Sequence, residues 1–279
     1  MIDFKNKVFV GANNRKSLYD CEVPENATSL IVFMHGYKGY KDWGAWGLMQ
    51  QTFVQNKVAF LKFNCSHNGG TVENPIDFDD LEAFGNNRYS YELEDLQIII
   101  DEAHRLLHQE CELDIPIWLI GHSRGGGVVV LEGNRNDKVN GVISLAGISD
   151  IGSRFPGEQE LEEWKQQGVR FVLNGRTNQE MPHYFSFYED YVGNTDLLDI
   201  EKAANQLSKP FLQIHGDMDL SVSISEGLAL ANWTNTRLKI IKGGDHTFGT
   251  KQPWESNQLS GQLNEVVQAC LNFINTQQV

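Results

Sequence analysis

The sequence predicts an α/β fold whose mainly parallel, twisted sheet carries helices on both faces. Two observations support this prediction. Short segments along the chain are almost continuously apolar, as expected of strands that are covered on both sides, and amphipathic helical patterns lie between them. The apolar segments are Leu30–Met34, Val58–Phe63, Ile117–Ile120, Val142–Ala146, Phe211–Ile214 and Leu238–Ile241.

The remaining elements are predicted from turn residues and helical periodicity. Residues 2–10 and 15–23 are expected to be two strands joined by a turn-rich tetrapeptide. Residues 90–108 form an amphipathic helical pattern with Ser90 as its expected N-cap. A last helical stripe runs from Leu259 to Ile274. Strand and helix therefore alternate along the chain.

The composition limits the classes of function. The 279 residues are 41% hydrophobic, which is enough to bury the core of one large domain. A formal net charge of -14 disfavours binding to nucleic acid and to anionic membranes. Residues 1–10 alternate polar and apolar, so they are not expected to be a signal peptide, and no run approaches the ~18 apolar residues of a membrane span. Four scattered cysteines fit a reducing compartment, so a cytoplasmic protein is expected, while the oligomeric state stays open.

One segment interrupts the alternation of strands and helices. Between Ile148 and Pro210 lie about sixty residues, where a crossover between strands needs far fewer. This segment is rich in aromatic residues. We interpret residues 148–209 as an inserted cap, so that residues 1–147 and 210–279 form the two parts of the core.

A candidate nucleophile follows the third of the long apolar strands. Ile117–Ile120 runs into Gly121-His122-Ser123-Arg124-Gly125, which has the G-x-S-x-G pattern of a nucleophile elbow. In such a turn the serine hydroxyl projects above the sheet, and the glycines are needed because side chains there would collide with neighbouring backbone. The pattern predicts Ser123 as nucleophile, with an ordinary structural turn as the alternative.

The loop after the first apolar strand offers an oxyanion hole. Leu30–Met34 ends in His35-Gly36, a pattern that fits the loop supplying one backbone amide, here that of Tyr37. The second amide is expected from Arg124, the residue after the nucleophile. Both are backbone donors, so this role requires neither side chain. An ordinary glycine turn is the alternative for the His-Gly pair.

The acid and the base follow later strands. Phe211–Ile214 leads into His215-Gly216-Asp217-Met218-Asp219, where two acids compete. We favour Asp219 because the H-G-x-x-D spacing occurs in many enzymes with a nucleophile elbow, and a carboxylate there would orient the base. His246 is the one histidine downstream of Asp219, and the order serine, acid, histidine selects it as the base. The flanking histidines His35, His122 and His215 are expected to be structural.

With these motifs in this order, the sequence resembles the α/β-hydrolase superfamily along nearly its whole length. It is similar to small bacterial cinnamoyl/feruloyl esterases, to monoacylglycerol lipases and to prolyl-oligopeptidase-type catalytic domains. Dienelactone hydrolases have a similar layout but carry cysteine where this chain has Ser123. The resemblance implies hydrolysis of a small-molecule acyl ester through an acyl-enzyme, with no metal and no organic cofactor.

Other activities stay open at this level. A peptidase or a thioesterase of the same fold would carry the same motifs, and a non-catalytic binding protein on this scaffold is the alternative from another class. Residues 64–87 follow a strand end and are expected to border the site. They depart from the F-D-x-x-G-x-G-x-S pattern of related esterases, and the sequence assigns them no function.

The predicted cap supplies candidate substrate contacts. Four aromatic residues lie between His183 and Tyr188, more than one face of a helix or strand buries. We therefore expect Tyr184 and Tyr188 to wall an apolar pocket above the nucleophile, with packing inside the cap as the alternative. Arg176 is expected to meet a carboxylate or a phenolic oxygen of the substrate. Its alternative is a salt bridge to Glu180 or Glu189.

Overall fold

The computed structural model describes residues 2–277. Two sheets account for the strands found in this range. The strands are β1 (Ile2–Val10), β2 (Lys16–Val23), β3 (Ser29–Met34), β4 (Val58–Phe63), β5 (Ile117–His122), β6 (Val139–Leu145), β7 (Val169–Asn174), β8 (Gln179–Tyr184), β9 (Phe211–Gly216) and β10 (Leu238–Ile241).

Helices connect most of these strands. Two 3-10 turns, Ala12–Asn14 and Gly152–Arg154, and a π-helical turn, Leu106–Glu110, accompany them. The α-helices are α1 (Trp46–Gln55), α2 (Leu81–Gly85), α3 (Tyr89–Arg105), α4 (Arg124–Arg135), α5 (Glu158–Gln167), α6 (Ser186–Gly193), α7 (Ile200–Gln206), α8 (Ile224–Trp233) and α9 (Gly261–Thr276).

The large sheet has eight strands in the order β1-β2-β4-β3-β5-β6-β9-β10. The six strands from β4 to β10 in this order are parallel, and β1 and β2 form an antiparallel hairpin at one edge. Every residue of β3, β4 and β5 is buried, as the continuous apolar segments predicted. The mainly parallel sheet and the N-terminal hairpin are therefore confirmed.

Successive residues of β3 point into two different cores, because side chains alternate across a strand. Leu30, Val32 and Met34 belong to the core beneath α3, α4 and α7. Ile31 and Phe33 belong to the core that α1 and α9 cover. The prediction of helices on both faces of the sheet is thus confirmed.

The start of α3 differs from the predicted start. Arg88 occupies the N-cap position, and the helix begins at Tyr89. Ser90 therefore lies inside the helix, where its hydroxyl donates to Asp190 Oδ1 at 2.5 Å and its amide donates to Asp190 Oδ2 at 3.1 Å. A carboxylate from α6, a hundred residues away in sequence, has taken over the capping role that spacing assigned to Ser90.

The segment between β6 and β9, for which the sequence suggested a cap, contains one helix that packs on the core. Helix α7 packs against the core helices α4 and α8, so it serves as the crossover helix of the sheet although it lies within residues 148–209. Helix α5, the antiparallel β7–β8 hairpin and α6 make up the remainder. Six residues between Phe155 and Phe187 line the larger cavity above β5, and we call residues 155–193 the roof.

Candidate active site

Ser123 lies on a sharp turn between β5 and α4. Its backbone torsions are φ 58° and ψ -119°, a region that non-glycine residues rarely adopt. Close packing holds the turn: a Cβ on Gly121 would lie 2.1 Å from the carbonyl oxygen of Gly125, and a Cβ on Gly125 would lie 2.5 Å from that of His35. The local geometry is therefore that of a nucleophile elbow.

Three side chains predicted from the sequence form one hydrogen-bonded chain. His246, in the loop after β10, places Nε2 2.9 Å from Ser123 Oγ. Its Nδ1 lies 2.8 Å from Oδ2 of Asp219, in the loop after β9. The buried carboxylate also accepts at Oδ1 from the amides of Ser221 and Val222, at 2.8 and 2.9 Å. This arrangement can move a proton from the hydroxyl to the imidazole while the carboxylate holds the ring.

The competing acid lies elsewhere. Asp217 is exposed, and its Oδ1 accepts from the amide of Gly243 at 2.6 Å, which closes a surface turn. The structure thus brings Asp219, and not Asp217, to His246.

A second histidine contacts Asp219. The buried His215 Nε2 donates to the carbonyl of Val222 at 2.9 Å and lies 3.3 Å from Asp219 Oδ2. Burial raises the pKa of the Asp219 carboxyl, but the hydrogen bonds from His215, His246 and the Val222 amide outweigh it and hold that pKa below its usual range. His215 is the first residue of the H-G-x-x-D motif that pointed to Asp219. Because it contacts the Asp219 carboxylate, it positions that group as well as supporting the fold.

His122 and His35 hold the loops around the nucleophile. His122 Nε2 donates to the carbonyl of His246 at 2.8 Å, and burial together with the His246 ring lowers the pKa of His122 to about 3, so the ring stays neutral. His35 accepts from the Cys65 amide at Nε2, at 3.1 Å, and donates from Nδ1 to the carbonyl of Gly36 at 2.8 Å. Burial lowers the pKa of His35 as well. Both histidines are buried structural donors, as expected from the sequence.

The two residues predicted to supply oxyanion amides both adjoin Ser123. A Cβ on Gly36 would lie 2.8 Å from Ser123 Cβ, so glycine permits the loop that carries Tyr37 to pack directly against the nucleophile. Arg124 is the first residue of α4, a position whose N–H has no acceptor within the helix. Tyr37, Ser123 and Arg124 line the same cavity. The oxyanion role of the two amides stays a prediction.

The side chains of these two residues have roles that the sequence did not reveal. The Arg124 side chain is only 12% exposed, and its Nη1 donates to Glu92 Oε1 at 2.9 Å. Its guanidinium lies 4.4 Å from the centroid of the Tyr37 ring and 4.9 Å from that of Tyr89. The Tyr37 hydroxyl and Nε2 of His183 in the roof share a hydrogen bond of 2.6 Å. The oxyanion loop, the nucleophile helix and the roof are thereby joined.

Two cavities meet at Ser123 and His246. The larger has a volume of about 450 Å³, and its aromatic walls come from the core and from the roof: Tyr37, Tyr89, Phe155, Trp164 and Phe187. The smaller, of about 240 Å³, is bordered by Trp43, Trp46 and Arg176. A site of this shape can hold the two halves of a cleavable substrate on either side of the hydroxyl.

The predicted substrate contacts in the cap need correction. Tyr184 and Tyr188 line neither cavity. The Tyr184 hydroxyl donates to Glu82, and the Tyr188 ring packs edge-on against Phe155 at 5.0 Å inside the roof. Adjacent residues of a hairpin and a short helix point in different directions, so Phe187 faces the cavity instead. Local spacing gave no signal for this difference, because His183–Tyr188 crosses from the end of β8 into the start of α6.

Arg176 borders the smaller cavity, but its ion-pair partner was predicted wrongly. Its Nη2 lies 2.8 Å from Asp77 Oδ1, and neither Glu180 nor Glu189 forms the pair. The partner belongs to residues 64–87, the segment without an assigned role.

The structure shows what residues 64–87 do. Besides the Asp77–Arg176 and Glu82–Tyr184 contacts, the carbonyl of Phe78 accepts from the side chain of Gln179 at 3.1 Å. Phe78 and Phe84 form a small apolar cluster with Met181 of β8. The segment is thus a platform on which the β7–β8 hairpin sits.

Within residues 2–277, no group of three or more His, Cys, Asp or Glu side chains is arranged to hold a metal ion. The four cysteines are free thiols. Among the helices described, none has the length and apolar character needed to cross a membrane.

The comparisons with known proteins identify the fold. No protein-family model matches the sequence, and no curated protein matches it significantly. Among solved structures, Est1E from Butyrivibrio proteoclasticus with ferulic acid bound is 19% identical, with a TM-score of 0.72 over 97% of this chain and 99% of that one. A monoacylglycerol lipase from Paleococcus ferrophilus is 15% identical, with a TM-score of 0.66 over 92% of this chain and 98% of that one. A dienelactone hydrolase from Anabaena variabilis is 17% identical, with a TM-score of 0.62 over 99% and 97%.

These likenesses extend over nearly the whole chain and establish that it has the α/β-hydrolase fold. The fold predicted from the sequence is confirmed.

Proposed function

We propose that this protein is a serine hydrolase that cleaves a carboxylic ester of a small molecule through an acyl-enzyme. The observation that carries the proposal is the chain from Ser123 through His246 to Asp219, with spacings of 2.9 and 2.8 Å, at the point where two cavities meet. Solved structures of this fold that are named as an esterase domain and as a monoacylglycerol lipase support the choice of an ester bond.

The proposed mechanism uses only groups of this chain and water. Ser123 Oγ attacks the ester carbonyl while His246 Nε2 takes its proton, and Asp219 stabilises the imidazolium. The amides of Tyr37 and Arg124 bind the oxyanion of the tetrahedral intermediate. As that intermediate collapses, His246 protonates the leaving alkoxide. Water then attacks the acyl-enzyme, His246 removes its proton, and the acid leaves with regeneration of Ser123.

The strained turn and the neutral histidines support this mechanism. His122 holds the His246 backbone with a ring that burial keeps uncharged, so Asp219 is the charged group in hydrogen-bond contact with the His246 imidazole. Roof residues line the cavity of about 450 Å³ that contains the Ser123 hydroxyl, and this volume suits a small substrate, which favours an ester or a thioester over an extended peptide.

Covalent labelling tests the proposal. We expect a fluorophosphonate to label the wild-type protein, and Ser123→Ala to abolish labelling and reduce ester turnover to the background rate with unchanged circular dichroism. Ser225→Ala, which removes an exposed hydroxyl on α8, is the matched control and should label normally. Undiminished labelling of Ser123→Ala would show that another residue is the nucleophile.

A substrate panel then decides the bond that is cleaved. It comprises 4-nitrophenyl esters of increasing length, methyl hydroxycinnamates chosen because one structural neighbour holds ferulic acid, an acyl thioester and an aminoacyl amide. The highest kcat/KM should belong to an ester. A higher value for the thioester or the amide would reassign the bond, and labelling and turnover both absent would indicate a binding protein.

A further inference from the structure

The larger cavity has a charge opposite to that of the protein. The sequence carries 37 acidic and 23 basic residues. In the described part of the chain, the sixteen residues that line this cavity nevertheless include no Asp or Glu. Four of them are cationic: Lys38, Arg124, Arg154 and Arg170. A positive cavity in an acidic protein attracts an anionic ligand, because low-dielectric walls concentrate the field of the lining charges.

Two of these cations are neutralised by carboxylates behind the cavity wall. Arg124 pairs with Glu92 at 2.9 Å, and Arg154 pairs with Glu226. Arg124 uses one nitrogen for this bond, so its planar fork keeps further donors for the cavity. These two pairs position guanidinium groups without adding net charge.

The other two cations carry no such compensation. Within residues 2–277, neither Lys38 nor Arg170 forms an ion pair with a carboxylate. The Arg170 guanidinium lies 5.2 Å from the centroid of the Trp164 ring, and the Lys38 ammonium lies 5.0 Å from that of Tyr37. Aromatic faces hold both groups. Lys38 Nζ also donates to the carbonyl of Leu173 at 3.5 Å, and its other N–H donors stay available. Arg170 belongs to β7 of the roof, and Lys38 belongs to the oxyanion loop and reaches the backbone of the same strand.

One residue of the cavity wall, His183, is close enough to three of these cations for their charges to affect its pKa. His183 faces Arg170 across the β7–β8 hairpin. Burial and, after it, the positive charges of Arg124, Arg170 and Lys38 together lower the pKa of His183 to about 3. An imidazolium is disfavoured where a carboxylate would be stabilised. The same lining includes apolar and aromatic surface beside Ser123, so an anion here would belong to a larger, partly apolar molecule.

We propose that the substrate is an ester that also carries a carboxylate, which enters the larger cavity and is bound by Arg170 and Lys38 above the fork of Arg124. This inference rests on the proposed function, because it places the carboxylate on the molecule that Ser123 cleaves. It adds a charged substrate class, which neither the fold nor the hydrogen-bonded chain at Ser123 requires.

Paired substrates, each a carboxylate and its neutral methyl ester, test the proposal. One pair is the 4-nitrophenyl monoester of terephthalic acid and its methyl ester, with the charge on the acyl side. The other is 4-acetoxybenzoate and its methyl ester, with the charge on the leaving group. We expect the wild type to prefer the anionic member of at least one pair by about tenfold in kcat/KM at low ionic strength, the size of one charge-assisted hydrogen bond.

Variants show where the preference originates. Arg170→Gln and Lys38→Gln should each lower the ratio of anionic to neutral kcat/KM by about threefold to tenfold, through KM for the anion. Lys165→Gln removes the same charge from an exposed position on α5 and should leave the ratio unchanged. A wild-type ratio near one in both pairs would overturn the proposal, as would a preference that survives in the Arg170→Gln, Lys38→Gln double variant.

A binding measurement separates this inference from the proposed function. Calorimetry with Ser123→Ala should show tighter binding of monomethyl terephthalate than of its neutral primary amide, and Arg170→Gln in that background should remove the difference. If no ester is cleaved but this difference is present, the proposed function fails and the anion site stands. If esters are cleaved and the carboxylate binds no more tightly than the amide, the anion site fails alone.

Discussion

The site is formed by two regions that are held together in different ways. Its floor consists of the strand-end loops that carry Tyr37, Ser123, Asp219 and His246, and its roof is the stretch 155–193. The floor depends on backbone: glycines pack on carbonyl oxygens at 121 and 125, and histidine rings bind main-chain groups. The roof depends on side chains that meet across long sequence distances, as in the Arg176–Asp77 and Tyr184–Glu82 pairs.

This difference shows where each region tolerates change. A floor fixed by backbone contacts admits few residue types, because an added carbon meets an atom that cannot move aside. A roof fixed by exchangeable side-chain pairs can be rebuilt with other pairs while the floor stays the same. The roof is therefore where members of this fold can alter the substrate, and four substitutions test the contrast.

The largest effect is expected from the acid of the floor. Asp219→Asn should lower kcat by about 10⁴, because the amide favours the wrong tautomer of His246. Asp217→Asn, which weakens an exposed turn, should change kcat by less than about threefold. Steady-state kinetics on one ester compare the two variants. The reverse ranking would mean that Asp217 orients the base in solution.

The next effect tests the rigidity of the floor. Gly125→Ala places a Cβ 2.5 Å from the carbonyl oxygen of His35 and should push the oxyanion loop away from Ser123. We expect kcat to fall by about 10² and unfolding to become easier by about 1–3 kcal/mol. Gly47→Ala in α1 is the control, since a Cβ there meets no atom within 4 Å, and it should keep full activity. If Gly125→Ala has the same kcat and KM as the wild type, the oxyanion loop can shift to accommodate the added Cβ without loss of activity.

A third prediction concerns the pH dependence of the roof. His183 has a folded-state pKa of about 3 against 6.5 without these surroundings, so below pH 6.5 the unfolded chain takes up a proton that the folded one refuses. Stability should therefore fall as pH drops from 6.5 towards 3. Between pH 7.5 and 5, His183→Gln should lose about 2 kcal/mol less than the wild type in urea unfolding. Parallel losses in the two proteins would contradict a buried neutral His183.

The smallest effect compares two neighbouring rings of α6. Phe187 lines the larger cavity and stacks on Tyr89 at 5.1 Å, whereas Tyr188 packs inside the roof. Phe187→Ala should raise KM for an aromatic ester by about tenfold, which corresponds to part of the burial energy of one ring. Tyr188→Ala should change KM by less than about twofold. A larger KM effect at Tyr188 would indicate that Tyr188 contacts the substrate, as the sequence predicted.

Much of the floor could be predicted because its signals are local. A buried strand, a glycine-flanked serine and the order of the later motifs placed Ser123, Asp219 and His246 at strand ends, and parallel strands bring such ends to one edge of the sheet. The structure places all three within hydrogen-bond reach. His215 was recognised as part of the H-G-x-x-D motif, but the sequence did not predict its contact with Asp219.

Less of the roof could be predicted, because its contacts depend on partners far away in the chain. Aromatic content indicated that rings would face a cavity, but spacing alone did not separate Phe187 from Tyr188. The same limit applied to Arg176, whose carboxylate partner is 99 residues away, and to Ser90, whose partner is Asp190.

The sequence by itself determined the alternation of buried strands with helices, the α/β-hydrolase fold and the residues at the ends of the strands. It could do so because burial and tight turns restrict residue types within a few positions of the chain. Only the tertiary structure decided which acid meets His246, which rings wall the cavity and which cations stay unpaired beside Ser123. Those outcomes depend on the direction in which each side chain points once the roof packs on residues 64–87, and no local spacing encodes that direction.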